Sequence, residues 1–289
     1  MRRQDLLCLL LYYLGFSRVR NLLYRWRRVP VVRILAFHDV HPGQVPSFRR
    51  QLEILKGEAN IVSLGDILAG RLSWRRLNVA ITFDDGYRGW LHNVCPALRD
   101  LGIGATFFVS SGFIGLVGEE ERDFLRNNLK SDRPHSGVLD ARELREIAAQ
   151  GFAIGGHTRR HVNLAKVEDV DELRSEIEVD KAQLERMTGA KVEYFAYPFG
   201  ASRHGRIDLA RVLEECGYRG AVTLVPGPVT SGTDGYRLNR DLVNASMSVP
   251  VFRARLGGNH DGVAFVRRFL GLRRRAQGRG GAGEALHSQ

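Results

Sequence analysis

Cysteine is scarce in this sequence: Cys8, Cys95 and Cys216 are the three among 289 residues. An odd number, with no two of them in a CxxC spacing, excludes a disulfide framework and a cysteine-based zinc site. Long apolar runs are also missing. No stretch approaches the roughly 18 apolar residues of a spanning helix. Acidic residues are nearly absent from the two ends. Residues 1–33 hold eight arginines against Asp5, and residues 267–289 hold six against Glu284, so the ends carry the net charge of +11 and the body is close to neutral. A near-neutral body offers no basic groove, which argues against a nucleic-acid partner. What is present is ordinary for a folded globular protein: 44% hydrophobic and 26% charged residues, in a length that suits one domain of barrel size.

The N-terminal segment, residues 1–32, mixes two patterns. An apolar run from Leu6 to Phe16 follows Met1-Arg2-Arg3-Gln4-Asp5. It resembles a signal peptide, yet no small-x-small cleavage site follows. Apolar character then continues at helical spacing through Leu22, Leu23, Tyr24 and Trp26, interleaved with arginines. An apolar face beside an arginine face describes a helix lying in a membrane interface, and anionic lipid is its expected partner. A helix docked on the main domain and an uncleaved signal or anchor are the other two readings. The expected location is the cytoplasm or the face of the cytoplasmic membrane, with an exported form left open.

From Val31 the pattern changes to alternating strands and helices. Near-continuous apolar runs at Val31–Phe37, Val79–Phe83, Ala105–Val109, Phe152–Gly155, Val192–Ala196 and Ala221–Leu224 read as strands. Helical spacing falls between them at Phe48–Lys56, Leu91–Leu101, Ala141–Gln150, Val167–Met187 and Ile207–Cys216. Asp140 is placed to cap the third of these helices, and Gly189 to end the fourth. This alternation predicts an α/β domain over 33–270, a parallel sheet covered by helices, with the number of repeats favouring a barrel. Residues 112–139 are polar and unpatterned and are expected to form an inserted loop. Residues 271–289 are expected to be a disordered basic tail.

Chemistry in parallel barrels sits at the C-terminal ends of the strands. Three strands here end in residues suited to metal-assisted hydrolysis. In Thr82-Phe83-Asp84-Asp85-Gly86, adjacent side chains of an extended segment point different ways, so one carboxylate can bind a metal while the other takes a proton from water. In Gly156-His157-Thr158-Arg159-Arg160-His161, four-residue spacing on a helical turn would put both imidazoles within reach of one cation. Two histidines and a carboxylate leave coordination positions open, as a catalytic site requires. In Ala196-Tyr197-Pro198-Phe199-Gly200, a turn at a strand end can line a pocket with Tyr197, Pro198 and Phe199 and offer backbone N–H groups.

These three segments, in this order, resemble the polysaccharide deacetylases with the NodB homology domain (carbohydrate esterase family 4), over roughly residues 33–245. His38, in Ile34-Leu35-Ala36-Phe37-His38-Asp39-Val40, also resembles the opening strand of many bacterial members. The resemblance implies a deformed (β/α) barrel and removal of N- or O-acetyl groups from a sugar. It implies Asp84 as catalytic base, Asp85, His157 and His161 as ligands of a metal, usually zinc (Zn²⁺), and the Phe199 main-chain N–H as an oxyanion donor. The expected substrate is an N-acetylated glycan or glycolipid precursor. Two departures from the family pattern stand out. The arginine that many members place two residues before the proline of the third motif is Ala196 here, and Arg240 is the candidate to replace it. No Leu-x-His motif supplies a histidine general acid, and His38 and His260 are the candidates. The same motifs would serve a non-sugar amide, and the two departures leave room for a non-catalytic glycan-binding relative.

Overall fold

The computed structural model describes residues 10, 12–15, 22–24, 26–131 and 134–259. Within them the chain forms one curled, all-parallel sheet with helices packed on its outside. The strands are β1 (Val32–Phe37), β2 (Ala59–Ile61), β3 (Leu77–Asp85), β4 (Thr106–Val109), β5 (Ala153–Gly156), β6 (Tyr194–Ala196), β7 (Gly220–Val222) and β8 (Asp241–Leu242). Their order is β7-β6-β5-β4-β3-β1-β8, and β2 pairs with the start of β3. Every pairing between these strands is parallel.

One extended segment draws the two margins of this half-barrel together. Leu238 bridges Val222 in β7, and three residues later Asp241 and Leu242 pair with Leu35 and Ala36 of β1. The isolated bridge and the two-residue strand leave the barrel deformed rather than evenly closed. Extended residues alternate across a sheet. Accordingly Val32, Ile34, Ala80, Phe108, Tyr194, Ala196 and Val222 share an inner cluster, while Leu35, Phe37, Val79, Ile81, Phe83, Phe107 and Phe195 pack outward with the helices.

The helices end where the sequence placed their signals. Asp140 caps Ala141–Ala149 in a reciprocal capping box with Glu143. Asp169 accepts from the backbone of Asp171 and Glu172 at the start of Val170–Thr188, which closes on Gly189 with φ 71°. Short elements that the sequence pattern did not reveal include β2, the helix Leu64–Leu68, β8 and the helix Val249–Leu256.

The 112–139 segment differs from the expected unpatterned loop. It contains a helix, Gly118–Phe124, running into a wide turn over Leu125–Leu129 that ends on left-handed Lys130. Phe124, Leu125 and Leu129 are buried, and Phe124 stacks on Phe113 at 4.8 Å between ring centroids. The Leu139 N–H donates to the Gly86 carbonyl, and Val138 bridges Tyr87, which fastens the segment beside the strand bearing the two aspartates. Three apolar anchors a few residues apart suffice to fold a stretch that is otherwise charged.

At the N-terminus, Leu10, Tyr13, Leu14, Leu22, Leu23 and Trp26 are exposed. Among the described residues no helix is long and apolar enough to cross a membrane. The 271–289 tail lies outside the described residues.

Candidate metal and hydrolytic centre

The alternation of β3 decides what its two aspartates do. Asp84 has the parity of Ala80 and Thr82, so its side chain enters the barrel interior. Asp85 has the opposite parity, but it takes φ 96°, with Gly86 behind it at φ 129°. That turn brings Asp85 toward the mouth, where the Nε2 atoms of His157 and His161 lie 3.6 and 3.5 Å from its Oδ1. Asp85, His157 and His161 form a buried group whose ligating atoms all lie within 4.8 Å of one another.

This donor set fits a divalent cation. His157 Nδ1–H donates to the Ala196 carbonyl at 2.6 Å, and His161 Nδ1–H donates to the Asn128 carbonyl at 3.1 Å. Each carbonyl can only accept, so each neutral ring keeps its Nε2 lone pair toward Asp85. Backbone or carboxylate partners that fix the imidazole tautomer in this way are the usual outer shell of a metal site. Asn128 belongs to the 112–139 segment, which the sequence did not connect to the site.

Asp84 is gripped by Arg240. Nη1 and Nη2 donate to Oδ1 and Oδ2 at 2.7 and 2.8 Å, in a bidentate pair with both side chains buried. Two further donors are used: Nε donates to the Thr223 carbonyl at 2.8 Å and Nη1 to Thr82 Oγ1 at 3.1 Å. Arg240 therefore lies inside the barrel and not on the surface, and its neighbour Asp241 pairs instead with buried Arg33 at 2.8 Å. Adjacent residues of an extended segment again face opposite ways.

Electrostatics follow this geometry. Burial alone would raise the Asp84 carboxyl, but the charge and hydrogen bonds of Arg240, with His157 and His38 nearby, hold it below the usual carboxylate range. Burial likewise opposes ionisation of Asp85, and the hydrogen bond from His157 and the charges of His38 and His161 overcome it, holding that carboxyl well below its ordinary value. Burial disfavours the His157 imidazolium, yet Asp85 and Asp84 outweigh it and raise His157 above 6.5.

His38 follows β1, half-buried, within electrostatic reach of both carboxylates, and its carbonyl accepts from the Trp90 indole at 3.0 Å. Phe199 takes φ 58° in the turn Pro198–Gly200, and its ring meets His161 edge-on at 4.7 Å. His260 lies outside the described residues. Tyr197 and Pro198 need correction as substrate-lining side chains. Both are buried, and Tyr197 has no exposed surface. Tyr197 keeps the parity of Phe195, so it packs under the helices, with the two rings 5.4 Å apart and its hydroxyl pushed up by burial. Of the three, Phe199 alone is not buried.

Backbone strain concentrates here. Among the described residues, six that are not glycine have positive φ, and Asp85, Thr158, His161 and Phe199 are four of them. Such conformations cost about 1–3 kcal/mol each and persist where the surroundings over-determine them, commonly at functional sites.

The family model described as polysaccharide deacetylase matches residues 75–221, which carry Asp84, Asp85, His157, His161 and Phe199. This chain belongs to the polysaccharide deacetylase family. It is 28% identical over 176 residues to YxkH of Bacillus subtilis, which carries a polysaccharide deacetylase name; the match covers 61% of this chain and 55% of YxkH. It is 30% identical over 128 residues to the peptidoglycan-N-acetylglucosamine deacetylase of Bacillus cereus, covering 44% of this chain and 38% of that protein. The chain thus spans about half or less of the curated relatives it matches. The fold also matches the Streptococcus pyogenes deacetylase PplD, solved in complex with acetate, with a TM-score of 0.62 at 20% identity over 79% of this chain and 98% of that one. Arg240 lies beyond the matched region, on the segment that closes the sheet.

Proposed function

We propose that this protein is a metal-dependent hydrolase that removes N-acetyl groups from an N-acetylated sugar in a cell-surface polysaccharide or glycolipid precursor. The observation that carries the reading is the buried Asp84–Arg240 pair standing beside the converging Nε2 atoms of His157 and His161. Asp85, His157 and His161 are the ligands. A bound divalent ion such as Zn²⁺ supplies Lewis acidity, polarising the acetyl carbonyl and acidifying water.

The chain's own groups supply the rest. Asp84, ionised across the working pH range, accepts the proton of the attacking water, and Arg240 fixes the orientation of its carboxylate. The Phe199 main-chain N–H, turned by its left-handed φ, serves the developing oxyanion. His38, in reach of both carboxylates, is the candidate proton donor to the leaving amine.

Acetate release from a panel of N-acetylhexosamine oligomers and lipid-linked N-acetylated sugars tests this reading. Release that needs Zn²⁺, stops with chelator and is lost in Asp84→Asn is expected. Tight metal binding without release from any sugar would shift the assignment to a non-sugar amide, and failure to bind metal would point to a non-catalytic glycan-binding relative.

The N-terminal segment would hold the enzyme at an anionic membrane face. Seven of the eleven exposed large apolar side chains among the described residues fall between Leu10 and Val29, amid the arginines of residues 1–33. Sedimentation with phosphatidylglycerol vesicles but not with phosphatidylcholine vesicles is expected, and sedimentation with neither would overturn this placement.

A further inference from the structure

The helix Val170–Thr188 buries two carboxylates on its core-facing side, Glu176 and Asp180, one turn apart. An acidic pair at (i, i+4) repels on one helix face, and burying it costs more unless every oxygen is satisfied. All four oxygens here are satisfied, and three of the groups they accept from belong to the histidine loop. Asp180 Oδ2 accepts from the His157 backbone N–H and Oδ1 from the Ser111 N–H, both at 2.8 Å. Glu176 Oε2 accepts from the Arg160 backbone N–H at 2.8 Å and Oε1 from Arg160 Nε at 2.5 Å. The Glu176 carbonyl adds the Arg159 N–H at 2.9 Å.

Residues 157, 159 and 160 therefore donate to one turn of one helix, and the loop between the two histidines takes left-handed φ at Thr158 and His161. Within the loop the Val162 N–H donates to Thr158 Oγ1 at 3.0 Å, and the helix supplies the rest of the hold. The other side of His157 is fixed as well, since Ser110 Oγ–H donates to its carbonyl at 3.0 Å. Gly156 lets the helix come this close: a Cβ there would stand 2.2 Å from Tyr218 Oη and 3.0 Å from Asp180 Oδ2.

We propose that Asp180 and Glu176 are positioning residues for the metal ligands, holding the backbone of residues 157–160 so that both Nε2 atoms converge with Asp85. The inference rests on Asp85, His157 and His161 holding a metal. Neither acid reaches the centre itself; each acts through the loop it grips. Removing such outer partners lowers metal affinity by ~10–100-fold in other sites.

The test uses the full chain, freed of metal and titrated with Zn²⁺ against a chromophoric chelator, with the visible spectrum of the Co²⁺ form as a second readout. The variants are Asp180→Asn, which turns an amide N–H toward a backbone N–H, and Glu176→Gln, which keeps an acceptor for Arg160. Leu173→Ala, on the buried face of the same helix, is the control for loss of stability alone. Zn²⁺ affinity 10–100-fold weaker in the acid variants, an altered Co²⁺ spectrum and unchanged affinity in folded Leu173→Ala are expected. If the acid variants melt lower but bind Zn²⁺ within twofold of the wild type, their role is structural only and the proposal is wrong. Glu176→Gln decides the matter if Asp180→Asn does not fold. If the wild type binds no Zn²⁺, the metal-site reading falls first and this inference with it.

Discussion

Arg240 reaches Asp84 from the segment entering β8, two strands away in the sheet and 156 residues away in sequence, and satisfies both carboxylate oxygens without exposure to solvent. The strand that carries Asp84 and the segment that closes the sheet are thereby joined at the point where the proposed chemistry begins. Closure of the fold and orientation of the Asp84 carboxylate are one feature.

Removing that guanidinium should cost stability and activity together. Breaking a buried ion pair from one side costs about 3–5 kcal/mol, because the remaining charge is left unpaired. Arg240→Met should lower the melting temperature and reduce kcat by at least tenfold, and Arg240→Lys should not restore a two-point grip. The pH dependence carries the sign. In the wild type the Asp84 carboxyl is held low, so its contribution is present above the ordinary carboxylate range and is lost as pH falls through it. In metal-free Arg240→Met only His157 and His38 still oppose burial, so the carboxyl moves up and the gain in stability between about pH 4 and neutrality should shrink. Thermal melting of the chelated proteins across pH 4–8 checks the difference; parallel curves would show that Arg240 does not set the state of Asp84.

How far this was visible in the sequence depends on the range of each interaction. Asp84 and Asp85, or His157 and His161, are close in the chain, so local sequence marks them, but left-handed backbone at Asp85, Thr158 and His161, not strand alternation or the expected helical turn, brings their side chains together. Arg240 could be named only because Ala196 left a gap; nothing local to residues 237–243 marks its side chain as interior. Glu176 and Asp180 share helical spacing with Leu173, Ile177 and Leu184 on the core-facing side, which marks them as buried, but their partners are backbone N–H groups that no composition reveals. Tyr197 does carry a local signal: its parity with Phe195 sends it to the helix side of the sheet. Phe124, Leu125 and Leu129 were likewise the apolar anchors of a segment whose charge concealed them.

Metal binding should release protons. The His157 imidazole is raised above 6.5 in the metal-free protein, and a ligand must be neutral. Zn²⁺ affinity should therefore weaken as pH falls, beginning at a higher pH than for an ordinary histidine. Calorimetric titration in buffers of different ionisation enthalpy measures the protons released near neutral pH. Affinity independent of pH between 6 and 8 would show that His157 is not displaced from its protonated form.

Cys95 should resist thiol reagents in the native state. It is fully buried where the helix Cys95–Leu101 begins, and burial pushes its thiol up to about 12. Only the thiolate reacts, and at pH 8 that is roughly one molecule in 10⁴. Peptide mapping after iodoacetamide treatment should leave Cys95 unmodified until denaturant is added. Cys216, pushed up to about 11 but partly exposed, should react slowly. Rapid native labelling of Cys95 would mean that this helix opens on the experimental timescale.

Gly155 links packing to the Asp84–Arg240 pair. A Cβ at this position would lie 2.4 Å from Phe108 Cδ1 and 2.9 Å from the Tyr194 carbonyl, so the Phe108 ring would have to move. On its other side that ring faces the Arg240 guanidinium, 5.5 Å from the ring centroid. Gly155→Ala should therefore do more than overpack the core, which alone costs about 1–3 kcal/mol. It should press Phe108 toward Arg240 and loosen its grip on Asp84, lowering kcat with little change in KM. Phe108→Leu would remove the pressing ring while losing the contact with Arg240. The double variant should then recover part of both the stability and the kcat lost by Gly155→Ala, a coupling that a double-mutant cycle reads directly. If the two substitutions add without coupling, the strain is relieved elsewhere and Phe108 does not transmit it to the site.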